Sequence, residues 1–423
     1  MSVAADTPPG SSRCKQRAPP YTFALLHLCT SWPVGIVTLV VGNRLTAVGV
    51  PVNRIAVLIA AAYLAFSLEF VWAPLVDSTL TRRRWFAVGV LVMCGSLAAL
   101  LVAPWTIEGM SLLTALAFTA CFGAAVADAA IKGVMAYEVP AEQLGTASSY
   151  YAVGGYFAKS IGAAATLWML AHFASRPLAG LSTAAIAAMV GAAIWLTPPA
   201  APVPLKACLT ALRATLADAW SFLRTARGAI TALLCLLPFA SGIEVGLIGA
   251  IASEWRVTPN ELSGWIALSA IGTISGAALA GWLSLRIGPW RTYLFFGWTM
   301  VVAVVALAFA PRVAAAFLVI EFIYRGLSGG GYAAVLALVM TAIGKGAAST
   351  KASIMWSLFN FAAVLPTMIE GRVHDHAGTT AMLLTSAALC VAGLGILLLI
   401  MWLCAFRFER PATAARSLLA DSP

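Results

Sequence analysis

Apolar residues in this chain do not alternate and do not mark one helical face. They run on for 19 to 31 residues at a time, and twelve such runs follow one another: 21 to 43, 53 to 76, 85 to 105, 110 to 137, 146 to 172, 179 to 197, 229 to 251, 262 to 284, 290 to 311, 313 to 343, 352 to 371 and 379 to 404. About 20 apolar residues suffice to cross a bilayer as a helix. The pattern therefore predicts an all-α polytopic membrane protein with 12 transmembrane helices. Most connections are short and polar. The exception follows the sixth run, where Pro198, Pro199, Pro202 and Pro204 stop the helix. Beyond them Leu205, Leu209, Leu212, Leu216, Trp220 and Leu223 recur at spacings of three and four, opposite Lys206, Arg213 and Arg224. That is an amphipathic helix suited to the membrane surface. The domain plan that results is a tail (1–20), a six-helix bundle (21–197), a linker carrying the amphipathic helix (198–228), a second six-helix bundle (229–404) and a tail (405–423).

Composition agrees: 61% of residues are hydrophobic, 10% are charged, and the mean hydropathy is +0.92. A net charge of +10 would suit a nucleic-acid partner if it were gathered into an arm or stripe. Instead the basic residues sit singly or in threes at helix ends, where they set topology. With the N-terminus inside, the inner segments hold seventeen Lys and Arg residues and the outer ones six, Arg44, Arg54, Arg176, Arg256, Arg312 and Arg372. Both termini are thus expected on the cytoplasmic side of a bacterial inner membrane. The arginine run Arg82, Arg83, Arg84 between the second and third spans anchors this orientation. The eight cysteines fall in spans or in segments assigned to the cytoplasm, so no disulfide is expected. Residues 1 to 20 hold no apolar h-region, so the first span is expected to act as an uncleaved signal.

Seven charged residues lie well inside spans: Glu69, Asp128, Lys132, Lys159, Glu244, Glu321 and Arg325. Each costs about 2.5–3.5 kcal/mol at a helix centre on insertion scales, so each should face a partner or water. They fall on spans two, four, five, seven and ten. Spans three, six, nine and twelve have apolar interiors, as expected of helices that face lipid. Asp128 with Lys132, and Glu321 with Arg325, are four apart and can neutralise each other on one helical face. Setting those pairs aside leaves Glu69, Glu244 and Lys159, hence one carboxyl in excess. A carboxyl in a poorly hydrated interior has its pKa raised, and alternately binding and releasing a proton on opposite sides is the chemistry of proton coupling. Glu244, with no basic residue within a turn, is the leading candidate, and Glu69 the second.

Other residues fill out a candidate cavity. His27 in span one can titrate near neutral pH. Ser31, Trp32, Pro33 and Gly35 interrupt that span, and Trp32, Tyr150, Tyr151, Tyr156, Trp356 and Phe359 supply aromatic surface. Gly154, Ala158 and Gly162 on span five, and Gly272, Gly276 and Ala280 on span eight, form small-residue ridges that should let these two spans pack across the interface between halves. The tripeptide His374, Asp375, His376 has too few ligands for a metal centre and reads as a solvated loop. No nucleotide-binding loop, no catalytic motif and no cofactor site emerges.

The halves repeat each other weakly. WAPLVDSTLTRRRW between spans two and three is echoed by GWLSLRIGPWRTY (281–293) between spans eight and nine, and the span-four segment FGAAVADAAIKGVMAYEV has a glycine-rich counterpart in span ten. The segments EFVWAPLVDSTLTRRRW (69–85) and VADAAIKGVMAYEVPAEQLGTASSYYAVGGY (126–156) make the chain resemble the major facilitator superfamily, and within it the branch of muropeptide permeases and acetyl-coenzyme A transporters; siderophore-uptake permeases are related. The superfamily's turn motif is matched by Ala73, Leu75, Asp77 and the arginine run, and again by Gly281, Leu283, Arg286 and Gly288, with Leu285 replacing the second acidic residue. The resemblance implies two six-helix bundles alternating access to a midplane site lined by spans one, four, seven and ten. It also implies a cytoplasmic gate of Asp77, Arg82, Arg83, Arg84, Arg286 and Gly288. The expected function is secondary active transport of a small organic solute, coupled to protons, by a monomer. Alternatives are drug or metabolite export, and a membrane assembly factor of the same fold that delivers a pigment or partner.

Overall fold

The computed structural model describes residues 18–78, 80–139, 141–197, 210, 213, 217–237, 247–343 and 348–404. Among these residues the regular structure is helical throughout. The first half comprises α1 (Thr22–Ala47), α2 (Val52–Ser67), α3 (Glu69–Ser78), α4 (Arg82–Val102), α5 (Met110–Glu138), α6 (Ala141–His172) and α7 (Arg176–Gly191). The second comprises α8 (Ala226–Leu236), α9 (Ile248–Ile251), α10 (Pro259–Ile287), α11 (Pro289–Phe309) and α12 (Ala314–Ile343). The last helical stretch, Ala348–Leu403, bends at Gly378 (φ 79°); its limbs are α13 (348–377) and α14 (379–403). Nine stretches of the described residues are long and apolar enough to cross a membrane. One of them contains both α13 and α14. With the 32-residue α6 and the seventh run, described only at its ends α8 and α9, they cover the twelve predicted spans.

Local chemistry sets several boundaries. Thr81 caps α4 by accepting from the Arg84 backbone N–H, and Thr258 with Glu261 forms a reciprocal capping box on α10. Gly288 ends α10 at φ 88°, a conformation that a side chain would strain. Two expectations need correction. Span one is not broken at Ser31, Trp32, Pro33 and Gly35: the helix runs through Pro33 and continues as a π turn over Ile36–Val41. Span two does break, at Leu68, between α2 and α3. Most of the linker, including Leu205, Lys206, Leu209, Leu212 and Leu216, lies outside the described residues. Within its described part Asp218 takes a 2.8 Å ion pair from Lys351 and Arg224 lies over the exposed Trp220 ring.

Each half packs around its own contacts. α4 lies on α5, α1 on α6 and α7 on α4; in the second half α10 and α11 both lie on α12. The halves meet where α2 runs along the Ala348–Leu403 stretch and α6 along α10. Spans five and eight therefore do pack across the interface. Their glycines, however, face inward: a Cβ on Gly154 would collide with the Ala24 backbone of α1, and one on Gly276 with the Gly326 carbonyl of α12. The small ridges bring helices together within each half, not across it. Exposed apolar residues occur on α4, α7, α11 and α14, as Leu91, Leu181, Met189, Val302, Phe309 and Trp402, but also on other helices, as Trp168, Ile271, Val319 and Leu365.

One end of the interface is closed. Asn43 Nδ2 donates to the Gly249 carbonyl at 3.4 Å, Gly371 backs onto Ala56, and the Asn53 backbone N–H reaches the Asp375 carboxylate at 3.4 Å. The tripeptide at 374–376 is thus no solvated loop. It continues α13, and half-buried His374 pairs with Glu254 at 3.0 Å, while the Thr379 hydroxyl donates to the same carboxylate.

Candidate functional site

Six of the seven charged residues predicted within the spans are described, and they line two adjoining cavities. Lys132, on α5, is the hub. Its Nζ lies 2.8 Å from each carboxylate oxygen of Glu69 and 2.9 Å from Asp128. Glu69 is 1% exposed and Asp128 5%, so both acids share one ammonium in a dry setting. The predicted Asp128–Lys132 pair forms, but it does not close on itself. Glu69, which the sequence left as an excess carboxyl, is the second partner of the same lysine.

The cluster extends in both directions. The Tyr151 hydroxyl donates to both Asp128 oxygens at 2.8 and 2.9 Å. His27 stacks face to face on Tyr151 with ring centroids 3.6 Å apart, and its Nε2 lies 3.8 Å from Asp128. A Cβ on Gly155 would fall into the imidazole, so this glycine makes the room for His27. On the other side the Ser353 hydroxyl of α13 donates to Glu69 at 3.5 Å. A chain of polar side chains therefore runs from α1 through α6, α5 and α3 into the second half.

This chain forms one wall of a cavity of about 120 Å³. The opposite wall is aromatic: Tyr156 of α6, Tyr332 of α12, and Trp356 and Phe359 of α13. Tyr332 sits at the centre, 5.1 Å from Tyr156, 5.0 Å from Trp356 and 5.9 Å from Phe359 between centroids. Lys159 lines this cavity and a second one of about 60 Å³, with which it shares Tyr63, Tyr156 and Ser328. The second cavity ends on Glu321 and Arg325, paired at 2.7 Å.

Of the predicted cavity residues, His27, Asp128, Lys132, Tyr156, Lys159 and Trp356 line the main space, and Glu321 and Arg325 the smaller one. Trp32 does not: it is buried in the core against Gly162. Tyr150 is exposed on the surface of α6. Glu244 lies outside the described residues. Of the predicted gate, Arg83 reaches the Thr197 hydroxyl and the Trp195 carbonyl, both at 3.4 Å, at the end of the sixth span of its own half. Arg286 lies over the Trp282 ring at 4.2 Å; Asp77 sits on α3, and Gly288 makes the turn that ends α10. The sequence reading missed Tyr332, Tyr63, Asn360 and Ser353, which carry no charge to mark them among apolar neighbours. It also missed Glu370, a fully buried carboxyl near the far end of α13.

The model of the Major Facilitator Superfamily matches residues 23–369. The chain belongs to this superfamily. No curated protein matches its sequence, but solved transporters share its fold. The nucleoside transporter NupG superposes with a TM-score of 0.65 at 12% identity, over 92% of this chain and 98% of that one. A D-xylose–proton symporter gives 0.69 at 12% identity, over 89% and 95%. A bacterial homologue of the human lysosomal transporter Spinster, inward-facing and unoccupied, gives 0.62 at 13% identity, over 92% and 96%. This superfamily member is therefore a multi-pass membrane protein with the twelve-helix fold of secondary transporters.

Proposed function

We propose that the protein moves a small organic solute across the bacterial inner membrane by alternating access, coupled to the proton gradient, with both termini cytoplasmic and two six-helix bundles (21–197 and 229–404) joined by the linker. The observation that carries this is the sharing of Lys132 by two buried carboxylates, one of which touches the opposite half through Ser353. One ammonium cannot satisfy two dry carboxylates as well as it satisfies one, so the cluster has a natural vacancy for a proton. A proton on Glu69 weakens its hold on Lys132 and alters the link to α13. Protonation is thereby tied to the contact between halves that must part for the cavity to open. The fold similarity to a D-xylose–proton symporter agrees with this reading. Glu244 remains a second coupling candidate on sequence grounds.

The resemblance to muropeptide permeases and acetyl-coenzyme A transporters suggests far larger solutes than the cavity holds in this arrangement. The reading adopted is a transporter of small metabolites. Its test is a comparison of metabolites in cytosol and medium between cells with and without the protein. One compound class should shift between compartments, and a protonophore should abolish the shift. A shift that survives the protonophore contradicts proton coupling.

A further inference from the structure

The walls of the cavity restrict its ligand more than its size does, and the ligand class they select rests on the transporter function proposed for this same site. Four aromatic rings from three helices meet on one side, and their mutual arrangement leaves Tyr332 with both T-shaped and tilted neighbours. A further ring placed in offset or edge-to-face contact with such a cluster gains attraction from each pair beyond its area burial. The facing wall is polar and mainly accepting: the three N–H groups of Lys132 are taken by Glu69 and Asp128 and the Tyr151 O–H by Asp128, which leaves lone pairs on the Tyr151 and Glu69 oxygens. With all carboxyls ionised the fixed charges cancel, Glu69 and Asp128 against Lys132 and Lys159, and Glu321 against Arg325. A ligand with a net charge would bring an uncompensated charge into a space of low polarity, which is costly. At about 120 Å³ the space is on the scale of the roughly 150 Å³ cavity that takes up a single benzene ring.

We propose that the cavity binds a net-neutral, planar heteroaromatic solute of one ring, its face against Tyr156, Tyr332, Trp356 and Phe359 and its hydrogen-bond donors toward the Tyr151 and Glu69 oxygens. Trp356 and Tyr332 then determine specificity, and Asn360, whose side chain donates to the Trp356 carbonyl at 3.0 Å, positions the local backbone and lines the cavity.

The test is calorimetric titration of the purified full-length protein in detergent at pH 7.5. The probes are nicotinamide and uracil as neutral rings, benzoate and benzylamine as charged rings, and glucose as a neutral non-aromatic. At least one neutral heteroaromatic should bind about tenfold or more tightly than benzoate, benzylamine and glucose, a difference of about 1.4 kcal/mol. Trp356→Leu should weaken that binding by about tenfold or more, and Trp356→Phe should retain it within about threefold. Absence of binding by every neutral ring, equal binding of a charged ring or of glucose, or unchanged affinity in Trp356→Leu would each overturn the proposal. Binding in detergent needs no proton gradient. A protein that binds the ring but fails to couple to protons refutes only the coupling, and one that couples but prefers a charged solute refutes only the ligand class.

Discussion

Replacing Lys132 with methionine keeps an unbranched side chain one atom shorter and removes the charge that two buried carboxylates share. At separations of 2.8 and 2.9 Å and an effective dielectric near 20, each pair has a gross attraction of about 6 kcal/mol, most of it offset by the desolvation of both partners. The net consequence of stranding buried charge by removing its partner is about 3–5 kcal/mol. Lys132→Met should therefore destabilise the protein by about that amount, in equilibrium unfolding of purified protein in mixed micelles. Glu69→Gln or Asp128→Asn alone leaves Lys132 one carboxylate, and each should cost about 1–2 kcal/mol. Combining Glu69→Gln, Asp128→Asn and Lys132→Met removes all three charges, and stability should return to within about 2 kcal/mol of wild type because none of the three bonded groups is then left charged without its partner. If Lys132→Met costs less than about 1 kcal/mol, or the triple variant is no more stable than Lys132→Met, the shared-lysine description of the cluster is wrong.

Two further predictions concern packing and pH. A Cβ at Gly276 would occupy the space of the Gly326 carbonyl, whereas one at Gly281 on the same helix meets nothing within 4 Å; Gly276→Leu should abolish stable expression, read by the amount of protein in the membrane, while Gly281→Ala should gain about 0.5–1 kcal/mol from helix propensity, read by thermal unfolding. At the closed end, the hydrogen bond to Glu254 raises the pKa of His374 above its ordinary 6.5. Burial opposes but does not overcome the hydrogen bonds from His374 and Thr379 that hold Glu254 below its ordinary 4.5. The raised histidine contributes stability in full below 6.5 and loses it as pH rises through its folded pKa; the depressed glutamate contributes in full above 4.5 and loses it as pH falls. The contact should thus be strongest between about pH 4.5 and 6.5, and His374→Gln should flatten the decline in thermal stability from pH 6.5 upward; an unaltered profile would show that this pair does not carry it.

What could be read from the sequence was what each span carries by itself. Apolar runs gave the helices, and Asp128 with Lys132 and Glu321 with Arg325 are four apart, so their pairing follows from one helix alone. Glu69 is 63 residues from Lys132 and on another helix; no local spacing records that contact, and counting charges wrongly left the acid unpaired. Glycine ridges announced close approach on α6 and α10 but not toward which neighbour, because each helix has one neighbour in its own half and one across the interface. Tyr332 looked like any residue of an apolar helix until three other rings were brought around it. Pro33 promised a break, yet the helix runs through it and on into a π turn, because a gap in lipid would leave more backbone groups unpaired than one proline does. The match to a whole superfamily fixes the fold and leaves the solute to the cavity wall.

The most direct test of the central claim uses Glu69→Gln in cells matched for the amount of protein in the membrane. Metabolites in cytosol and medium are compared with and without a protonophore, for the intact protein and the variant. If the carboxyl of Glu69 carries the coupling proton, the intact protein holds one compound class out of balance only while the proton gradient stands, and the variant lets it equilibrate under both conditions. A variant that sustains the same protonophore-sensitive imbalance as the intact protein contradicts the account.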